Sequence, residues 1–276
     1  MFMERSLKMA CHIKMLRSVS AVFRLIDDFT GKVLNDASFF FLSNGKRISH
    51  IRKPEGFFVL VDMEESRDLQ IIICSRYYCN YVISGLSVPS ESKSIITARL
   101  TPGLNYPVPP GASAYSACFT HSSGIPAANL AIELYAPFRD GAVKLKSINT
   151  LDNEAYASLS NPYGVDYTGF TLAVPSPDEG DSPLVFSLSS RKDSTDFRID
   201  RPLRKVPSCG CMVKRVYSSV CDFLGRALIP VDYIASPESP DVMEVQLHAF
   251  NGVNSYFRDI SLSRGCIKHF NEVVDW

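Results

Sequence analysis

The sequence predicts an all-β protein made of two or three tandem antiparallel β-sandwich modules. Three observations carry that expectation. Short runs of aromatic and β-branched residues recur along the 276-residue chain. Residues that favour turns bound most of those runs. Between Ser18 and Pro102 no long stretch keeps the 3.6-residue apolar period of a helix.

Taken in order, residues 1–17 form an N-terminal arm in which Met, Leu and Ile alternate with Glu4, Arg5, Lys8, Lys14 and Arg17. Residues 18–100 form the first module. Its strand runs are Ser20–Ile26, Phe39–Leu42, Phe57–Val61 and Leu69–Cys74, separated by Asp28–Gly31, Ser43-Asn44-Gly45 and Pro54-Glu55-Gly56. Asn44-Gly45 is a tight-turn signal because both central residues of such a turn want positive φ. Residues 101–112 (TPGLNYPVPPGA) are a proline-rich linker, since Pro102, Pro107, Pro109 and Pro110 deny backbone donors and favour extended geometry.

The pattern resumes in a second module, 113–205. Its strand runs are Tyr115–Thr120, Asn129–Tyr135, Gly169–Val174 and Leu184–Leu188, with a long loop expected from Ile148 to Asp166 and a turn or exposed loop at Pro175–Pro183. Residues 206–276 are either a third module or the completion of the second. Strands are expected at Val213–Val220, Leu228–Ile234, Met243–Phe250 and Tyr256–Leu262, and Cys266–Val274 reads as a strand or a short closing helix.

Composition removes several function classes. The chain is 46% hydrophobic and 21% charged, so it can bury a core, and 29 basic residues balance 29 acidic ones. A balanced surface has no general pull toward nucleic acid or anionic membrane. No apolar run reaches the roughly 18 residues of a membrane span, and the N-terminus has no unbroken apolar core of a secretory signal. The eight cysteines are Cys11, Cys74, Cys79, Cys118, Cys209, Cys211, Cys221 and Cys266. Several lie in apolar runs, where cysteine acts as a small hydrophobe, and a cytoplasmic location with reduced thiols is expected.

Three segments share a layout of strand, glycine turn and apolar strand: Phe23–Leu42 around Gly31, Phe119–Leu134 around Gly124, and Val220–Ile234 around Gly225. Glu55-Gly56-Phe57-Phe58-Val59-Leu60 then matches Thr168-Gly169-Phe170-Thr171-Leu172 in order. The run Leu25–Leu34 (LIDDFTGKVL), followed by Arg52–Asp62 (RKPEGFFVLVD), resembles the carboxypeptidase regulatory-like, or transthyretin-like, module. Leu34 stands where that family often has proline or valine, Glu55 replaces its usual aspartate, and Arg76-Tyr77-Tyr78 fits its closing position loosely. Ser123–Asn129 (SGIPAAN) is nearer the family's first turn. The resemblance implies a seven-stranded, immunoglobulin-like or transthyretin-like sandwich used as an appended, non-catalytic module. The Pro-rich tract after the first module is similar to proteins of phage-tail-like contractile injection systems.

Each candidate for chemistry competes with a structural reading. Cys209-x-Cys211, with Cys221, Cys266 and His269 as completions, has metal-like character but lacks a second pair at zinc spacing, which favours cysteines in or beside a hairpin. His50, His121 and His248 are the histidines placed by the strand pattern. His121 adjoins Ser122 and Ser123, yet no Gly-x-Ser-x-Gly elbow occurs. Asp27-Asp28 and Asp178-Glu179-Gly180-Asp181 could bind calcium or be turn acids. Lys46, Arg47, His50, Arg52 and Lys53 form a basic loop that could meet an acidic partner or guard a sheet edge. Tyr77, Tyr78, Tyr163 and Tyr167 could stack on sugar rings or fill cores. No residue is assigned a catalytic, cofactor or metal role, and no nucleotide fingerprint is present.

The function expected is therefore a non-enzymatic structural or protein-interaction component of a larger assembly, such as a contractile injection particle, whose partners are other protein subunits. Two alternatives stand beside it: a carbohydrate-binding or adhesive sandwich protein, and an accessory domain protein of a separate hydrolase. Oligomeric state is left open.

Overall fold

The computed structural model describes residues 17–35, 38–88, 95–138, 143–151, 154–160, 166–178, 182–200, 203, 205, 207–231 and 242–276. The arm expected at 1–17, Arg17 apart, lies outside them. Twenty strands account for most of what is described, and the one helical element among these residues is the 3-10 turn Pro54–Gly56. The all-β sandwich expectation holds.

The first sandwich contains β1 (Val19–Asp27), β2 (Phe40–Ser43), β3 (Lys46–Ile48), β4 (His50–Lys53), β5 (Phe57–Val61), β6 (Ser66–Cys74), β7 (Tyr81–Val88) and β8 (Ile96–Leu100). They form two sheets, ordered β4-β5-β1-β8 and β3-β2-β6-β7. Alternation along β1 buries Ala21, Phe23 and Leu25 while Arg24 and Ile26 face outward. Phe23, Phe39, Phe41 and Phe58 meet between the sheets, with ring centroids 5.6–5.7 Å apart. The basic residues expected in one loop lie instead on two strands, Lys46 and Arg47 on β3 and His50, Arg52 and Lys53 on β4. Those strands are the edges of the two sheets, where lysine and arginine oppose edge-to-edge pairing.

The remaining strands are β9 (Ser113–His121), β10 (Ala131–Pro137), β11 (Leu145–Leu151), β12 (Glu154–Leu159), β13 (Thr171–Val174), β14 (Leu184–Arg191), β15 (Asp196–Ile199), β16 (Lys214–Val220), β17 (Arg226–Val231), β18 (Val242–Phe250), β19 (Ser255–Ser263) and β20 (Ile267–Val274). A three-stranded sheet, β17-β9-β20, faces the β16-β10-β18-β19 portion of a nine-stranded sheet. Between them lies a core of Tyr115, Phe119, Ile132, Leu134, Val245 and Leu247 with their neighbours. The other five strands of the long sheet, β11-β12-β15-β14-β13, enclose a separate core around Leu145, Leu159, Leu172, Phe186 and Phe197. One expectation is corrected here: Ile148–Asp166 is not one long loop, because β11 and β12 pair as a hairpin. Of the two readings of Cys266–Val274 the strand holds, and it runs parallel to β9.

Apart from the edge strand β4, which has no counterpart among the described residues of the second, the two sandwiches share one topology. The first strand pairs in parallel with the last in each, β1 with β8 and β9 with β20. Order β5-β1-β8 corresponds to β17-β9-β20, and β3-β2-β6-β7 to β16-β10-β18-β19. The opening turns superpose in hydrogen bonding. Asp27 N donates to Lys32 O and His121 N to Ile125 O, and Leu34 N donates to Leu25 O as Ala127 N does to Phe119 O. The counterpart of Gly56 is therefore Gly225, not the Gly169 that sequence order suggests. Where the first sandwich turns through Asn44-Gly45 between Ser43 and Lys46, the second carries residues 138–213 between Pro137 and Lys214.

Gly56 and Gly225 each pass close to the segments that flank that opening turn. Both have φ +73°, and a Cβ would sit 2.2 Å from Val33 Cγ1 and 3.0 Å from Leu34 O at Gly56, and 2.2 Å from Phe119 O at Gly225. Gly252, with φ +91°, meets open space. Gly225→Ala should therefore cost about 3 kcal/mol in urea denaturation, against about 1 kcal/mol for Gly252→Ala. Equal losses at the two positions would refute the close crossing.

Candidate functional site

Asp27, the last residue of β1, is buried and points inward like Phe23 and Leu25 before it. Its Oδ1 accepts the backbone N–H of Phe29 (2.9 Å) and Thr30 (3.2 Å), which folds the turn. Its Oδ2 accepts hydroxyl protons from Tyr106 (2.6 Å) and Tyr78 (3.2 Å). The turn thus carries Phe29 out of the first sandwich and into the core of the second, edge-on to Tyr106. Arg215, on β16, donates to Asp28 O (2.8 Å) and Phe29 O (3.4 Å). Its guanidinium lies 4.0 Å over the Phe170 ring centroid and 4.5 Å over that of Tyr217. Asp28 accepts from Arg99 Nε at 2.8 Å, and Arg99 in turn lies so close to Gly169 that a Cβ there would be 2.5 Å from its guanidinium.

The Pro-rich linker is part of this joint. Pro102 and Gly103 are buried, Gly103 N donates to Tyr77 O, Cys79 N to Thr101 O, and Tyr106 N to Gly103 O. Four segments therefore converge: the opening turn of the first sandwich, the linker, Gly169-Phe170 of the inserted strands, and Arg215.

Beside the joint, the outer face of β10, β18 and β19 carries a polar and aromatic group. Tyr135 donates to Glu133 Oε2 at 2.7 Å, and His248 Nδ1 lies 3.0 Å from Tyr135 Oη and 3.2 Å from Glu133 Oε2. His248 Nε2 is 3.2 Å from Ser255 Oγ, and its ring stacks on Phe257 (4.2 Å, 1°) and Phe250 (4.7 Å, 20°). Burial, then the hydrogen bond to Glu133 and its charge, push the Tyr135 phenol far above its ordinary pKa. Both nitrogens of His248 are engaged, and the hydroxyl stays protonated, so the group braces the sheet. A cleft of about 450 Å³ opens next to it, lined by Pro175, Ser176, Asp178, Lys214, Gln246 and Phe257 among others. That size suits a small ligand or a peptide segment. The lining holds no paired nucleophile and base.

The residues singled out from sequence scatter. Cys209 and Cys211 flank a contact with β11, where Gly210 N donates to Leu145 O and Leu145 N to Cys211 O. All described cysteines are free thiols, and no group of three or more metal-capable side chains forms among the described residues. His269 is exposed on β20, and His121 Nδ1 meets Trp276 O at 2.9 Å. Asp27 and Asp28 serve the joint, and Asp178 pairs with Lys205. Glu179, Gly180, Asp181 and Tyr163 lie outside the described residues. Tyr167 is corrected as a sugar platform, since it is buried among Phe138, Phe170 and Phe197, and Tyr78 is committed to Asp27. Nothing in the local sequence of Arg215, Phe170 or Tyr106 points to partners so distant in the chain.

No helix among the described residues is long and apolar enough to cross a membrane. The chain matches no protein-family model, and no curated protein matches it. Among solved structures it is similar to a Streptococcal ancillary pilin, with 6% identity, a TM-score of 0.26 and coverage of 92% of this chain and 68% of that one. It is also similar to the Bacillus anthracis TIE protein, with 8% identity, a TM-score of 0.23 and coverage of 93% of this chain and 50% of that one. A structure described as a cell adhesion protein from Bacteroides ovatus shares 9% identity, with a TM-score of 0.21, over 95% of this chain and 94% of that one. Scores this low establish neither a shared detailed fold nor a shared function.

Thiol chemistry checks the burial pattern around the site. Cys209 and Cys266 are exposed, whereas Cys74 and Cys221 are buried. Burial, with Asp222 and Cys118 beside it, pushes the Cys221 thiol up to about 12. With maleimide at pH 7.5 and mass mapping, Cys209 and Cys266 should label first, and Cys74 and Cys221 only on unfolding. Fast native labelling of Cys221 would contradict the packing of β16, β17 and β9.

Proposed function

We propose that the chain is a non-enzymatic structural component of a larger protein assembly, acting through contacts with other protein subunits. The observation that carries this reading is the joint at Asp27–Phe29 and Arg215. A hinge between modules needs few contacts, but here Phe29 of one sandwich's opening turn is buried in the core of the next and Arg215 holds the carbonyls of Asp28 and Phe29. Such a joint holds two outer surfaces at a set distance and angle, which suits a part that other parts build upon. The likeness of the Thr101–Ala112 tract to phage-tail-like contractile injection proteins favours a particle of that kind.

A second reading, a carbohydrate-binding or adhesive protein, has one observation in its favour. The cleft beside β18 combines the partly exposed Phe257 ring with Lys214, Gln246 and Ser176. A glycan array without hits would remove it.

Affinity capture of tagged protein from its own cells should retrieve defined subunits. If the wild-type chain captured none and stayed monomeric, the assembly reading would fail. Arg215→Ala should lower stability by about 2 kcal/mol and open Thr101–Ala112 to protease. Capture should weaken with it, since the two surfaces then lose their fixed relation.

A further inference from the structure

One side of the first sandwich is basic along its length. The run Lys46–Lys53 passes from β3 to β4 through Ser49, and those two strands are the outer strands of the two sheets. The run therefore closes that side of the sandwich, and the far edge of each strand has no partner strand among the described residues. Lys46, Arg47, Arg52 and Lys53 are exposed along it. Register adds a fifth cation: Lys53 pairs with Phe57 and Phe57 with Arg24, so all three share the outer face of one sheet.

These cations are held in place but not neutralised. Arg47 lies 5.4 Å over the Phe40 ring centroid and Arg24 5.8 Å over that of Phe57, while Arg52 Nη1 donates to Asn35 O at 3.0 Å. Among the described residues none of the five makes an ion pair, and Arg24 Nε has no hydrogen-bond partner. Between the strands His50 plugs the seam, its ring 5.2 Å from that of Phe41 and 5.7 Å from that of Phe58. Burial, then the charge of Arg47 and more weakly that of Arg52, hold the His50 pKa below its ordinary value. Cations of both strands thus act on one place.

Carboxylates bound the strip at its ends. Glu55 stands just past Lys53. Val61 N donates to Ser49 O, which sets Glu64 and Glu65, just past β5, toward the Lys46 end. Asp36 lies outside the described residues. What remains is a basic edge about 26 Å long at the rise of a strand. A nucleic acid follows a continuous basic surface with its phosphates and would run onto the acids at either end. An extended peptide of the strip's own length fits between them. Lysine and arginine on a sheet edge repel chance strands, and the same charges favour a segment that carries carboxylates.

We propose that the Lys46–Lys53 edge docks an acidic, extended segment of a partner subunit, whose carboxylates meet Lys46, Arg47, Arg52, Lys53 and Arg24. This rests on the assembly reading and gives the chemistry of one partner in it. The test is fluorescence anisotropy of the full chain with a labelled peptide of alternating glutamate and threonine, as long as the run. The peptide is expected to bind at low salt and to protect residues 46–53 from hydrogen exchange. Arg47→Glu with Lys53→Glu should weaken it about tenfold, whereas Lys146→Glu, on β11, should leave it unchanged. Both replaced side chains are exposed, so circular dichroism and the thermal midpoint should match wild type. If that variant misfolds, Arg47→Gln with Lys53→Gln gives the same reading with a smaller loss.

No binding by the wild type at low salt would overturn the proposal, as would binding indifferent to the double variant or weakened equally by Lys146→Glu. Equal affinity for a glutamine-threonine peptide would show that charge does not select the segment. Tighter binding of oligothymidylate or of phosphatidylserine vesicles through the same two side chains would assign the edge to another partner and overturn it too. If the acidic peptide fails while capture still retrieves other subunits, this inference falls and the assembly reading stands.

Discussion

The structure depends on a carboxylate and a guanidinium that are buried close together without pairing directly. Asp27 is 5% exposed and Arg215 7%. Taking a lone charge out of water costs several kcal/mol unless protein groups replace the lost hydration. Asp27 is compensated by two backbone N–H groups and two phenols, and Arg215 by two carbonyls and two aromatic faces. Those compensating groups come from the first sandwich, the linker, the inserted strands and β16. Neither charge is satisfied until all of them are in place, so the joint is all-or-none and couples the two sandwiches.

The inserted strands are necessary to that coupling. They occupy the position of a two-residue hairpin turn, where the ladder on either side keeps its register whatever is placed between. β13 then pairs with both β16 and β14, which joins the insertion to the second sandwich's sheet. That pairing sets Phe170 against Arg215 and Gly169 against Arg99. A sandwich with a plain Asn-Gly turn, as in the first, has no ring at that place to receive a guanidinium. The difference between the two copies is thus the part that locks them together.

What the sequence made legible follows the range of the physics involved. Strands with one apolar face, such as β1, β5, β10, β18 and β19, announce themselves through period-two alternation and their flanking turns. β11 and β12 do not, because Ser147 and Asn149 line the outward side of β11, Thr150 sits on its inner face beside Ile148, and the buried side of β12 is Ala155, Ala157 and Leu159. Local glycine patterns match the opening turns around Gly31 and Gly124, but they also offer the segment around Gly225 as a third such turn, whereas it is the counterpart of Gly56. The next match went to Gly169 in place of Gly225, since sequence order cannot show that a unit of several strands has been inserted. Arg215 reads as an ordinary strand arginine. Its acceptors lie 186 and 187 positions away, and only the closed fold brings them together. Tyr78 and Tyr167 read as surface aromatics for a related reason: Tyr78 is half-buried by Phe39 and Tyr106, and Tyr167 is buried with Phe138 and Phe197, which local sequence does not bring together.

The balance of 29 basic and 29 acidic residues bears on how such a rigid body could associate. Without a net field, long-range steering adds little to encounter rates, and specificity falls to short-range charge, shape and burial. Burial is productive only where side chains are already ordered, because freezing a mobile chain consumes much of what contact gains. The molecule meets that condition twice over. Its joint fixes the sandwiches relative to one another, and the Phe57 and Phe40 rings hold the guanidinium groups of Arg24 and Arg47. Contacts made this way weaken with salt through their charges and keep their placement through the joint. The buried Asp27 and Arg215 therefore bear on function through distance, by deciding where the outer surfaces stand.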